Sequence, residues 1–211
     1  MNDSSDSQTY YFSNKMGRIV LLSLEETVGQ NGLNAILNLA RLQHLSGNYP
    51  PPNFETGFSF EEMAALLSAI DEMYGPRSGR LLLVRAGRTC FKYGVQDFGG
   101  LLGVADVTFR LMTLNTRVHI GLEVIAEILN RYSHTVVKLG EDERAYFWTL
   151  DPCGLCWRRS TPYPACSLAV GLLEEALYWV SGGRSFEVEE ITCVAMGHSA
   201  CTLRVGKTPL E

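Results

Sequence analysis

The chain has 211 residues, 46% of them hydrophobic and 19% charged, with a formal net charge of −5 and a pI near 5.4. That length suits one domain with a substantial core, and the acidic balance excludes a dominant phosphate-binding surface, because nucleic-acid affinity rests on Lys and Arg displacing counterions. No apolar run approaches the roughly 18–20 residues of a membrane-spanning helix, and residues 1–7 lack both the basic and the apolar region of a secretory signal, so a cytoplasmic protein without direct nucleic-acid contact or a transmembrane segment is expected.

In chain order, residues 1–16 are polar and read as a flexible N-terminus. Ile19, Leu22 and Leu24 begin a helix over 17–28 that stops at Gly29-Gln30-Asn31-Gly32, and Ala35, Ile36, Leu39 and Leu42 resume helical spacing. Pro50, Pro51 and Pro52 mark a rigid surface loop. Ser59-Phe60-Glu61-Glu62 has the capping-box pattern and opens a helix that ends at Tyr74-Gly75-Pro76. Further helices are predicted over 80–93, 101–112 and 117–132, the last with Val118, Leu122, Ile125 and Leu129 on one face. From His134 the period changes to two: strands over 135–139 and 144–150 form a hairpin, a helix over 166–180 ends at Gly182-Gly183, and a second hairpin turns about Gly197. The reading is a single α+β domain, a helical part over 17–133 followed by a hairpin-helix-hairpin part over 134–206, with helices packed on an antiparallel sheet.

Five of the six cysteines fall between 153 and 201, which in a reducing compartment argues for metal chemistry rather than a disulfide framework. Cys193 and Cys201 lie symmetrically about Gly197 and become cross-strand neighbours in a regular hairpin. Cys166 opens a helix, where the positive end of the dipole favours a thiolate. A thiolate set suits zinc, whose structural sites take four ligands; Glu190, His198, Cys153 and Cys156 are candidates for the fourth. Glu190 stands three residues before Cys193, so a regular strand points the two to opposite faces, and a bulge is required for both to reach one ion. Cys90, inside an apolar helical stretch, reads as a core residue.

Residues 190–203, Glu-Ile-Thr-Cys-Val-Ala-Met-Gly-His-Ser-Ala-Cys-Thr-Leu, resemble the terminal signature of the 4-vinyl-reductase domain family, and Pro164-Ala165-Cys166, Gly171 and Gly182-Gly183 follow that family's order upstream. Two departures are His198, where many relatives carry Asp, and a Cys153-Gly154-Leu155-Cys156 element without the proline of the family's C-P-x-C. The resemblance implies zinc bound by Glu190, Cys193, Cys201 and Cys166, as in phenol-sensing members. It also implies the TRAPP-subunit fold, a homodimer, and an apolar ligand cavity between sheet and helices.

His119, Phe147, Trp148 and Tyr178 are the candidate ligand-binding residues: aromatic walls with few polar groups are what a pocket requires, and His119 adjoins the apolar face of its helix. No GxSxG, HExxH or dinucleotide fingerprint is present. The expected function is therefore binding rather than catalysis, as a zinc-containing sensor or carrier of a hydrophobic small molecule that signals through a separate output protein. The alternatives are an accessory role in (bacterio)chlorophyll 4-vinyl reduction and a TRAPP-like assembly scaffold.

Overall fold

The computed structural model describes residues 9–102 and 111–210. Within them the chain runs β1 (Tyr11–Ser13), α1 (Asn14–Leu39), β2 (Thr56–Ser59), α2 (Phe60–Leu102), α3 (Leu114–Tyr132), β3 (Val136–Glu141), β4 (Ala145–Asp151), α4 (Ser167–Ser181), β5 (Phe186–Thr192) and β6 (Cys201–Pro209). The class is α+β, and no helix among the described residues is long and apolar enough to cross a membrane.

Residues expected to be flexible begin the fold. Tyr11 and Phe12 pair with Ser59 and Phe58 across β1 and β2, Phe12 is buried, and α1 starts at Asn14, capped by the Ser13 hydroxyl, which accepts from the Met16 N–H at 3.4 Å. A three-residue strand carries too little alternation to register in the sequence. The two expected breaks are kinks rather than ends: at Gly29 (φ 76°) and at Gly75 (φ 73°), just before Pro76, the backbone takes a left-handed conformation and the helix resumes beyond. The capping box forms in full, with the Ser59 N–H donating to Glu62 Oε2 at 2.7 Å and the Glu62 N–H donating to Ser59 Oγ at 3.1 Å. The predicted 101–112 helix falls largely outside the described residues.

The four-stranded antiparallel sheet has the order β3-β4-β6-β5. One face is apolar and one wet, the alternation expected of an antiparallel sheet covered on one side. Tyr146, Trp148 and Leu150 of β4 are buried opposite Val205, Leu203 and Cys201 of β6. On the other face Thr149 pairs with Thr202, and Arg204 meets Glu187 at 2.8 Å.

α4 packs against α3, β5 and α2, and α2 also packs on α1. The α2–α4 crossing is close because Gly87 faces the Leu168 carbonyl and Gly171 faces the Val84 carbonyl, so that a Cβ at either position runs into facing backbone. α4 ends on Gly182 (φ 78°), where the Gly183 N–H donates to the Tyr178 carbonyl at 2.8 Å.

Candidate functional site

Three chain segments bring the cysteines together. The loop after β4 carries Cys153 and Cys156, the residue before α4 is Cys166, and in the last hairpin Cys193 follows β5 and Cys201 opens β6. The Cys156 and Cys166 sulfurs are 3.2 Å apart, Cys153 and Cys166 3.5 Å, and Cys156 and Cys193 3.5 Å. The ligating atoms of Cys156, Cys166, Glu190, Cys193 and Cys201 all lie within 4.8 Å of one another, and these four cysteines are fully buried. The register of β5 against β6 shifts between Glu190 and Thr192, the irregularity needed to turn Glu190 toward the cysteines.

Glu190 Oε2 accepts from the Cys166 N–H at 2.7 Å, while Glu190 Oε1 is buried without a partner. His198 is occupied otherwise, its Nδ1 lying 3.1 Å from the Cys193 carbonyl. Cys153 sits at the edge, its sulfur 3.5 Å from that of Cys166.

Burial and proton sharing dominate the electrostatics. Hydrogen bonds from Cys153, Cys166 and Cys193 hold the Cys156 thiol down to about 5. Cys166, hydrogen-bonded to Cys153 and Cys156 and fully buried, is pushed well above the ordinary thiol range. Burial, followed by the Cys193 hydrogen bond, pushes Glu190 up to about 8. The cluster is therefore one set of groups sharing protons, and any metal it takes must displace them.

Next to the cluster is an apolar cavity of about 150 Å³. Its walls come from β1, α1, α2, α3, β4 and α4 and from the cysteine loop, and among the described residues on them two side-chain atoms are buried and lack a partner: Thr135 Oγ1 and Trp148 Nε1. A buried polar group left unpaired costs about 1–3 kcal/mol, and both residues line the cavity.

Of the four candidate ligand-binding residues, Trp148 alone lines the cavity. His119 is partly exposed and 3.2 Å from Glu123, Phe147 is half-buried on the strand between the inward-facing Tyr146 and Trp148, and Tyr178 is half-exposed near the end of α4. The sequence reading missed Thr135, hidden between α3 and β3. It also missed Arg159, whose side chain is buried, donates to the Leu155 and Ala165 carbonyls and meets Asp71 at 2.7 Å. An arginine beside a cysteine pair was a visible signal for a loop tether, but its partner is 88 residues away.

No family model and no curated protein sequence matches the chain. Among solved structures, an H-NOX protein from S. oneidensis in the Fe(II)NO ligation state is similar at 15% identity and a TM-score of 0.53, over 92% of this chain and 98% of that one. A single-substitution variant of Tt H-NOX (15%, TM-score 0.57) and the Fe(II) unliganded H-NOX protein from K. algicida (14%, TM-score 0.55) each align over 94% of this chain and 97% of theirs. The fold is that of the H-NOX domains.

This overturns the resemblance to the 4-vinyl-reductase and TRAPP families, together with the vinyl-reduction and TRAPP-scaffold roles that hung on it. A cysteine-bearing turn is a local feature, compatible with many arrangements of the helices above it, whereas the H-NOX match runs nearly the whole length of both chains. The assignment of zinc is corrected with it, since these H-NOX structures are described by Fe(II) ligation and one of the series by its heme.

Heme itself does not fit the described residues that line the cavity. Heme iron takes an axial His, Cys thiolate or Tyr, or a Met beside a His, and none of the four histidines lines the cavity. His44 meets Glu62, His119 meets Glu123, His134 accepts from the Tyr11 N–H, and His198 lies against Cys193. Met16 and Met63 are on the wall without a histidine to complete the pair. Cys90 lines the wall as well, but burial pushes its thiol up to about 12, which disfavours the thiolate that heme iron takes. Among the described residues no Lys or Arg is on the wall to meet heme carboxylates, and a cavity of about 150 Å³ is the size that admits one benzene ring, not a tetrapyrrole.

Proposed function

We propose that the protein is a small-molecule sensor or carrier whose ligand is neutral, hydrophobic and about the size of one aromatic ring. The observation that carries this is the apolar cavity whose unpartnered polar atoms, among the described residues, are Thr135 Oγ1 and Trp148 Nε1. An indole N–H only donates, whereas a hydroxyl both donates and accepts. The pair therefore suits a ligand with one oxygen, such as a phenol, over a bare hydrocarbon. The H-NOX neighbours, one described in an Fe(II)NO ligation state and one as Fe(II) unliganded, support the binding of a small ligand as a use of this fold, with a different ligand here. A homodimer and a separate output protein belong to the same reading; light scattering on the purified chain checks the first.

Calorimetric titration tests the ligand class. Phenol is expected to bind more tightly than benzene, and Trp148→Phe to shrink that preference by roughly tenfold, the worth of one hydrogen bond to a buried donor. Equal affinity for the two, or none for either, would sink this reading.

The thiol cluster is proposed as the site of a soft metal ion held by Cys156, Cys166, Cys193 and Cys201, with Glu190 anchoring the start of α4 from outside. In a tetrahedral thiolate site with metal–sulfur bonds of about 2.3 Å the sulfurs lie roughly 3.8 Å apart, and the 3.2 and 3.5 Å separations support closure on one ion. Glu190 already spends one oxygen on the Cys166 N–H. Titration with Co(II) should give intense sulfur-to-metal charge-transfer absorption saturating at one equivalent. Cys156→Ser should weaken that band and Glu190→Gln retain it; the reverse pattern would make Glu190 the ligand. Elemental analysis of the protein as purified names the ion.

A further inference from the structure

The cavity and the cysteine cluster share a wall. Gly154 and Leu155, the two residues between Cys153 and Cys156, line the cavity. Leu168 and Ala169, which line it from α4, follow Cys166 by two and three positions, and the Ala169 N–H donates to the Cys166 carbonyl at 2.9 Å. Leu150, also on the wall, is the register partner of Cys201.

The shared wall has little slack. A Cβ at Gly154 would collide with the rings of Phe12 and Phe60, and Phe12 lines the cavity too, so a shift of the loop toward these rings presses on the cavity wall. Arg159 pins both flanks of the cluster, through the Leu155 and Ala165 carbonyls, to Asp71 on α2. Close-packed interiors pass such displacements on rather than absorbing them.

We infer that ligand affinity is coupled to metal occupancy: a metal ion drawing the four sulfurs to one centre sets the cavity wall, and the emptied cluster loosens it. This rests on both the cavity and the cluster readings above. Coupling of this kind is reciprocal, so the factor by which metal tightens ligand binding is the factor by which ligand tightens metal binding. The chain would then respond to an apolar molecule only when its thiols are loaded, joining two chemical inputs in one domain.

The test uses phenol as ligand probe and Cd(II) as metal probe on the full chain. Phenol affinity is measured by calorimetry on Cd(II)-loaded protein and on reduced, chelator-stripped protein, with near-UV circular dichroism to verify that both are folded. Cd(II) affinity is measured by chelator competition with and without saturating phenol. Stripping is expected to weaken phenol binding about tenfold or more, and phenol to strengthen Cd(II) binding by the same factor.

Leu155→Ala, which keeps all the thiols, should bind one Cd(II) yet bring the factor toward one. If the stripped protein loses its near-UV signal, the comparison moves to loaded protein: phenol should slow Cd(II) release to the chelator in the wild type and fail to do so in Leu155→Ala. Phenol affinity that is equal in the loaded and stripped states, or Cd(II) release indifferent to phenol, overturns the coupling while leaving both sites standing. Absence of phenol binding in either state overturns the cavity reading, absence of Cd(II) binding overturns the cluster reading, and either takes the coupling with it.

Discussion

Arg159 and Asp71 form a largely buried ion pair outside the cluster, at 2.7 Å. The arginine side chain is 4% exposed and the aspartate 14%, and burial raises the Asp71 pKa even though the guanidinium opposes the shift. Losing one partner of a buried pair strands the other charge, which costs more than the pair itself is worth. Asp71→Asn is therefore expected to destabilise the fold by roughly 3 kcal/mol, read as a lowered urea midpoint with an unchanged slope. It should also expose the cysteine loop to proteolysis, because the tether on the Leu155 carbonyl loosens. Cys90 shows the opposite behaviour of a buried group: with its thiol pushed up to about 12 it should resist iodoacetamide at pH 8 in the native protein and react once urea unfolds the chain.

Among the elements, α2 carries two features of different origin. Its start is a local device. Ser59→Ala removes the hydroxyl that serves the Glu62 N–H and should cost about 1 kcal/mol by urea titration, the usual worth of a helix cap. Its crossing with α4 is a tertiary device: Gly171→Val would put a branched side chain against the Val84 carbonyl. A loss of at least 1–3 kcal/mol, typical of overpacking, is expected in the same assay. The capping box was legible because four adjacent residues suffice to form it, whereas the need for glycine at 171 depends on a helix some 85 residues away. The kinks at Gly29 and Gly75 fall between these cases: the glycines were visible as punctuation, but only packing on both sides decides whether a helix stops or bends there.

For the molecule as a whole, the fold shared with H-NOX domains and the heme those domains are described with come apart. Hemin added to the protein should give no saturable Soret shift at one equivalent, since among the described residues neither an axial imidazole nor a cation for its carboxylates faces the cavity; a stoichiometric Soret band would refute the fit argument. Phenol at a hundred times its dissociation constant should instead stabilise the fold by about 2.7 kcal/mol, visible as a raised melting temperature.

The local pattern of this chain was written in adjacent residues: the alternation of β4, the apolar face of α3, the capping box, and the spacing that sets Cys193 and Cys201 on either side of Gly197. Periodicity reports which face of an element is buried, and turn chemistry reports where it ends. Neither reports which element lies opposite. Tertiary structure alone decided that Cys156 rather than Cys153 joins the cluster's centre, that Trp148 faces a cavity while His119 meets Glu123, and that the fold is the H-NOX one. Each of these depends on contacts between segments far apart in the chain.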